Sequence, residues 1–244
     1  MKCALAAMGF VNKDVRYNQK VILDTLSRYC READLIVFGE AFLQGFNGVS
    51  FRDEEDSHIA VSLSDPVISE LRAAAKAHAC AISFGLIEKA DSCFYSSQLT
   101  IGADGTLIDI FRRVSPGWKE PFASEAYREG KGFHTFPFMG KNIAVGLCGD
   151  LWYDENVEEM KRLCPDVVLW PVYTDFTPEE WNASEKYDYA RQAQKIGELV
   201  LYVNSVCKNP PGSEVGLGGA ALFSDGRIIR ETPSGGESIL FVLV

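Results

Sequence analysis

Asp34-Leu35-Ile36-Val37-Phe38-Gly39-Glu40 decides the fold, and it has a counterpart in Ile143-Ala144-Val145-Gly146-Leu147-Cys148-Gly149-Asp150. Both are runs of apolar and β-branched residues without polar alternation, the pattern of a strand covered on both faces. Each stops at one reactive side chain, a carboxylate in the first and a thiol in the second. In open α/β architectures ligands gather outside the carboxyl ends of strands, where a rigid sheet holds a side chain against a crevice. A Glu and a Cys at such ends are the parts of a general base and a nucleophile. For either string alone, a solvated edge glutamate or an inert buried cysteine explains the residue equally well.

Outward from these strings, strand-like and helix-like segments alternate. Cys3 to Met8 reads as a first strand and Val15 to Ala33 as a helix, with Val15, Ile22, Leu23 and Leu26 on its apolar face. Ser64-Asp65-Pro66 opens a second helix running to about Ala79, because proline is tolerated in a first helical turn. Strands are predicted at Ala81 to Ile87, Phe94 to Ile101 and Leu107 to Phe111, the last two joined by an Asp104-Gly105 turn. Val114 to Gly132 mixes Pro, Gly, Trp and charges without period and reads as a long functional loop. Later strands fall at Phe133 to Pro137, Lys141 to Leu147, Val167 to Trp170, Leu199 to Val203, Ala220 to Phe223, Ile228-Ile229 and Ser238 to Leu243. Helices fall at Asp154 to Leu163 and from Pro178 to about Ile196. A second Asp-Gly hairpin, Ser224 to Ile229, echoes Ala103 to Ile108 and adds antiparallel pairing. No linker-like tract divides the chain, so residues 1–244 are expected to form one α/β domain. Helices on only one face of each mixed sheet leave two bare faces to pack together, which gives a four-layer αββα sandwich.

The composition excludes several classes. A hydrophobic share of 47% beside 24% charged residues is that of an ordinary globular protein. The net charge of −10 argues against nucleic acid as a partner, since phosphate backbones are held by Lys and Arg clusters. No stretch approaches the roughly 18 apolar residues that cross a bilayer, and the N-terminus reads as a strand rather than a signal peptide. The seven cysteines are an odd number with no C-x-x-C pair. That is neither a disulfide framework nor a zinc site, and it fits a reducing cytoplasm.

A third string lies between the first two. Ile110-Phe111-Arg112-Arg113-Val114-Ser115 ends a strand with paired cations. A guanidinium presented to the same crevice would stabilise an oxyanion and favour the thiolate of Cys148; a solvated basic pair is the alternative. His58, His78 and His134 do not end apolar strands, so a Cys-His dyad ranks below a Glu-Cys pairing.

Glu40, the cation after Phe111, and Cys148-x-Asp150, in that chain order, resemble the nitrilase (carbon–nitrogen hydrolase) superfamily. The run Cys148-Gly149-Asp150-Leu151-Trp152-Tyr153-Asp154-Glu155 is similar to the family's Cys-x-Asp-x-x-Phe-Pro-Glu. Glu125, with Gly130 and Gly132 after it, resembles a second, supporting glutamate, and Trp170-Pro171 stands where strand-end pocket residues are found. The resemblance implies an αββα sandwich and a Glu-Lys-Cys triad hydrolysing non-peptide amides, carbamoyl amines or, in one branch, nitriles. It implies no cofactor and no metal, a small-molecule amide as substrate, and a homodimer or higher homo-oligomer. By position Glu40 is the base, Cys148 the nucleophile, and Glu125 a support for the cation or the substrate. Gly149, Phe46, Trp170 and Tyr173 are expected to line the substrate site. One departure is plain: Arg113 stands where the family has lysine, and Lys119 is the nearest lysine in sequence. Arginine can hold an oxyanion but cannot relay a proton, so the residues are also compatible with a catalytically impaired protein that binds or assembles.

Overall fold

The structure is a computed structural model that describes residues 1–213 and 215–244. Its strands are β1 (Lys2–Ala7), β2 (Gly9–Phe10), β3 (Leu35–Phe38), β4 (Ala81–Ala90), β5 (Cys93–Ile101), β6 (Leu107–Arg112) and β7 (Thr135–Phe138). They continue with β8 (Lys141–Val145), β9 (Val167–Val172), β10 (Leu199–Asn204), β11 (Val206–Cys207), β12 (Ala220–Ser224), β13 (Arg227–Thr232) and β14 (Ser238–Leu243). One six-stranded sheet has the order β14-β1-β3-β4-β5-β6 and the other β13-β12-β10-β9-β8-β7. Each has a parallel centre, β1-β3-β4 in one and β8-β9-β10 in the other, and antiparallel flanks. The Asp-Gly turns close the β5–β6 and β12–β13 hairpins, as their residues require.

The central strands are buried on both faces, and their side chains divide by parity. Leu5, Leu35 and Val37 join Leu169, Leu201 and Val145 in the core between the sheets. Ala4, Ile36, Phe38 and Phe84 turn the other way, onto Ile22 and Leu26 of α1 (Val15–Tyr29) and Ile68 and Leu71 of α2 (Pro66–His78). On the outer face of the second sheet, Val157 and Met160 of α3 (Asp154–Leu163) and Tyr189, Ala193 and Ile196 of α4 (Lys186–Ile196) complete the layers. The chain is an αββα sandwich.

Local chemistry sets the helix ends. Asp14 caps α1 by accepting the Tyr17 N–H at 2.9 Å. The helix stops at Tyr29 rather than at Ala33, because Arg31 and Glu32 are exposed and offer nothing to the core. The segment from Pro178 to Ile196 is not one α-helix: a π-helical turn at Trp181–Glu185 interrupts it and seats Trp181 against Tyr202, ring centroids 4.9 Å apart. The two-residue pairing of β2 with β11 is too short to leave a periodic trace in sequence.

Candidate active site

Three chain segments meet at the carboxyl ends of β3, β6 and β8. Glu40 follows β3 by two residues and is fully buried. Its N–H donates to Val172 O at the end of β9 (3.3 Å), so the backbone itself joins the two sheets at this point. Gly85 in β4 makes room for it: a Cβ there would lie 2.2 Å from Ala41 N. Glu40 Oε1 accepts from Ser96 Oγ at 3.0 Å and from Arg113 Nη1 at 2.8 Å. Oε2 is buried without a hydrogen-bond partner among the described residues, an acceptor left open for a proton.

Strand alternation separates the two arginines. Arg112 turns outward to Glu88 at 2.7 Å and over the Tyr95 ring. Arg113 turns inward and is 4% exposed. Besides Glu40, its Nε donates to Ser115 Oγ at 3.0 Å and lies 4.0 Å from Asp150 Oδ1. The remaining nitrogen, Nη2, lies against Gly149, where a Cβ would stand 2.7 Å from it. Glycine after the nucleophile therefore leaves room for the guanidinium beside the turn that bears the cysteine.

Cys148 opens a 3-10 turn, Cys148–Trp152, with φ +43°, a left-handed conformation uncommon for a side chain bearing a Cβ. The surroundings hold it there. Its carbonyl accepts from Trp170 Nε1 at 2.8 Å, and its thiol donates to Tyr173 O at 3.7 Å. Asp150 Oδ2 accepts from Leu147 N, and Oδ1 from Val114 N and Ser115 N. A backbone conformation of this kind persists only where the surrounding structure over-determines it.

The electrostatics match. Burial, reinforced by the Glu40 charge, pushes the Cys148 thiol up to about 12, while Arg113 pulls it down. The resting sulfur is thus a neutral thiol that needs a base. Burial works against the charge of Arg113, but the nearby carboxylates, Glu40 above all and then Asp150, outweigh it and hold the guanidinium above the usual arginine range. Burial pushes Asp150 up to about 6 despite Arg113 and its amide donors.

Glu40, Arg113, Cys148 and Gly149 are placed in one site. Glu125 does not join them. It is exposed on the loop, its carbonyl accepting from Arg128 Nε, and the second carboxylate near Arg113 is Asp150. The loop's irregular path leaves a glutamate's direction unreadable in sequence. Lys119 is engaged elsewhere, with Tyr127 O at 2.9 Å and Glu129 at 2.6 Å. Trp170 is fully buried and supports the Cys148 backbone, packing on Tyr189 at 4.8 Å, rather than lining an open pocket. Tyr173 is buried with its ring stacked on Phe46 at 5.2 Å, so its backbone carbonyl, not its ring, meets the thiol. Nothing in the sequence marks Ser96 or Ser115 as a site residue, since only strand pairing and the turn after β6 bring them to Glu40 and Arg113. No group of three or more His, Cys, Asp or Glu is placed to hold a metal ion among the described residues.

Comparison with known proteins agrees with this fold. The family model for carbon-nitrogen hydrolase matches residues 3–244. An N-carbamoylputrescine amidase of Oryza sativa subsp. japonica is 25% identical over 203 residues, covering 79% of this chain and 65% of that protein. An (R)-stereoselective amidase of Pseudomonas sp is 22% identical over 231 residues, covering 95% of this chain and 80% of that one. The crystal structure of an amidase from Nesterenkonia sp. superposes with a TM-score of 0.76 at 19% identity, covering 99% of this chain and 89% of that chain.

Proposed function

The chain belongs to the carbon–nitrogen hydrolase family, and from that premise we propose that it is a thiol-dependent amidohydrolase cleaving a non-peptide C–N bond of a small linear amide or carbamoyl compound. One observation carries the reading: Arg113 bridges Glu40 and the turn bearing Cys148 inside a buried site. Relatives named for carbamoyl-amine and amide substrates support the substrate class.

The chemistry runs in two halves. Glu40 Oε2 takes the thiol proton as Cys148 Sγ attacks the carbonyl carbon, and Arg113 Nη2 holds the resulting oxyanion. The C–N bond breaks as Glu40 returns the proton to the departing nitrogen, leaving a thioester. Water, deprotonated by Glu40, then attacks the thioester. The carboxylic acid leaves and the thiol regains its proton. Arg113 remains charged throughout, so it stabilises charge and relays no proton.

The same fact supports a second reading. A guanidinium occupying Glu40 Oε1 and unable to give up a proton also suits a catalytically impaired protein with a binding or assembly role. Assays of ammonia release from amides, carbamoyl amines and nitriles separate the two, together with mass spectrometry of the Cys148 peptide. Amide or carbamoyl turnover with an acyl adduct on Cys148 is expected, with nitriles poorer. Neither turnover nor adduct would leave the binding protein.

As further parts of this reading, residues 1–244 act as one domain, supported by a core shared between both sheets. The protein works in the cytoplasm, where its free cysteines stay reduced. It assembles as a homodimer or larger, on family resemblance; a monomer alone in sedimentation at micromolar concentration would refute that. Among the described residues no helix is long and apolar enough to cross a membrane.

A further inference from the structure

The mechanism uses Glu40, Arg113 and Cys148, and leaves a buried carboxylate beside them unexplained. Asp150 is fully buried and makes no contact that a reacting atom requires. Its oxygens are shared between two segments that are remote in sequence. Oδ2 accepts from Leu147 N at 3.1 Å, immediately before the nucleophile. Oδ1 accepts from Val114 N at 3.1 Å and Ser115 N at 2.7 Å, immediately after the cation. Ser115 then accepts from Arg113 Nε through its Oγ at 3.0 Å.

We propose that Asp150 is a positioning residue that sets the aim of Arg113 at Cys148, tying the two segments together and acting on the guanidinium through Ser115. The guanidinium is a rigid plane, so two anchored nitrogens determine where the third points. Glu40 anchors Nη1, the Asp150–Ser115 pair anchors the Nε edge, and Nη2 is thereby directed over Gly149. The inference rests on the amidohydrolase reading for its kinetic consequence, but its geometric consequence, the environment of the thiol, is measurable without any substrate.

Asp150→Asn is a near-isosteric test. An amide offers one acceptor oxygen and one NH2 group, so whichever way it turns, a donor faces an N–H donor and one tether is lost. Ser115→Ala removes the link to Arg113 while leaving both backbone N–H groups for Asp150, and it changes no charge. Three quantities are measured for wild type, each single variant and the double variant: kcat and KM on an amide substrate, alkylation of Cys148 by iodoacetamide at pH 8, and thermal stability. If positioning is the role, both single variants lower kcat by up to about 10²-fold with KM nearly unchanged, the scale of a misplaced catalytic group. Both also slow alkylation by about tenfold, the effect of one pKa unit on the thiolate fraction. The double variant is no worse than Asp150→Asn, because both act on one guanidinium.

The sign of the alkylation change discriminates. The Asp150 charge itself raises the thiol, so a through-space effect alone would make Asp150→Asn react faster. Faster or unchanged alkylation per folded molecule, with stability alone reduced, overturns the proposal. If Asp150→Asn does not fold, Ser115→Ala decides: wild-type alkylation and kcat in that variant overturn it. Should no amide be turned over, the function reading fails while the alkylation arm still decides this one.

Discussion

Arg113 Nη1 and Glu40 Oε1 lie 2.8 Å apart although the residues are 73 positions apart in sequence, and both side chains are almost withdrawn from solvent. Either ion alone at this depth would cost several kcal/mol, so each makes the burial of the other tolerable. The pair also divides the labour of Glu40. One oxygen is held by the guanidinium and Ser96, while the other is free to take a proton.

The nucleophile and base are tested first. Cys148→Ala should abolish hydrolysis with the fold intact, since it removes one half-buried sulfur. Glu40→Gln should silence turnover as well, because an amide cannot take the thiol proton. Steady-state rates on a responsive amide decide this, with circular dichroism as the folding control. Wild-type turnover by either variant would refute its assigned role.

Removal of the cation is the second test. Arg113→Ala should lower kcat by about 10² to 10³, the loss measured for one oxyanion donor, and should destabilise the fold by leaving Glu40 buried and unpaired. Arg113→Lys keeps a cation for Glu40 but cannot also hold Ser115 with a planar fork. Its kcat should fall between those of wild type and Arg113→Ala.

The thiol's response to pH is the third. With Cys148 raised from the ordinary 9.0 to about 12 by burial and by Glu40, the protonated form is favoured in the folded state. Alkylation by iodoacetamide should therefore climb steadily between pH 7 and about 10 without a plateau, as expected for a thiol whose pKa lies above the range. The same sign applies to stability: above pH 9 the unfolded thiol loses its proton before the folded one, so this residue's contribution declines as pH rises towards 12. An alkylation plateau near neutrality would instead reveal a preformed thiolate–guanidinium pair.

Trp170→Phe is the fourth. It deletes the N–H that holds the Cys148 carbonyl and keeps most of the aromatic packing against Tyr189. A loss of about 1 to 3 kcal/mol is expected for leaving a buried acceptor unsatisfied, read from urea denaturation. Activity should fall with it, because the left-handed backbone at Cys148 loses one of its restraints.

The strands carrying Glu40 and Cys148 were legible because burial on both faces writes an uninterrupted apolar run, and a polar residue ending such a run stands out. The Asp-Gly hairpins and the Pro66 helix start were legible for the same local reason: each rests on backbone preferences of one or two residues. The break in the helix after Pro178 was not, because the π-helical turn at Trp181–Glu185 answers to the fit of Trp181 on Tyr202.

By itself, the sequence determined the layered α/β architecture, the strand ends that present Glu40, Arg113 and Cys148, and the family's motif around the thiol. Periodicity and turn chemistry are short-range, and a chain cannot hide them. Only the tertiary structure decided which carboxylate accompanies Arg113. Glu125 lies twelve positions from it and faces solvent, while Asp150, much further along the chain, sits 4.0 Å from its Nε. The same holds for Ser96, brought to Glu40 by strand pairing, and for the Tyr173 carbonyl that receives the thiol. Contacts of this kind depend on how two sheets stack and where a loop turns, and neither is encoded within any one window of residues.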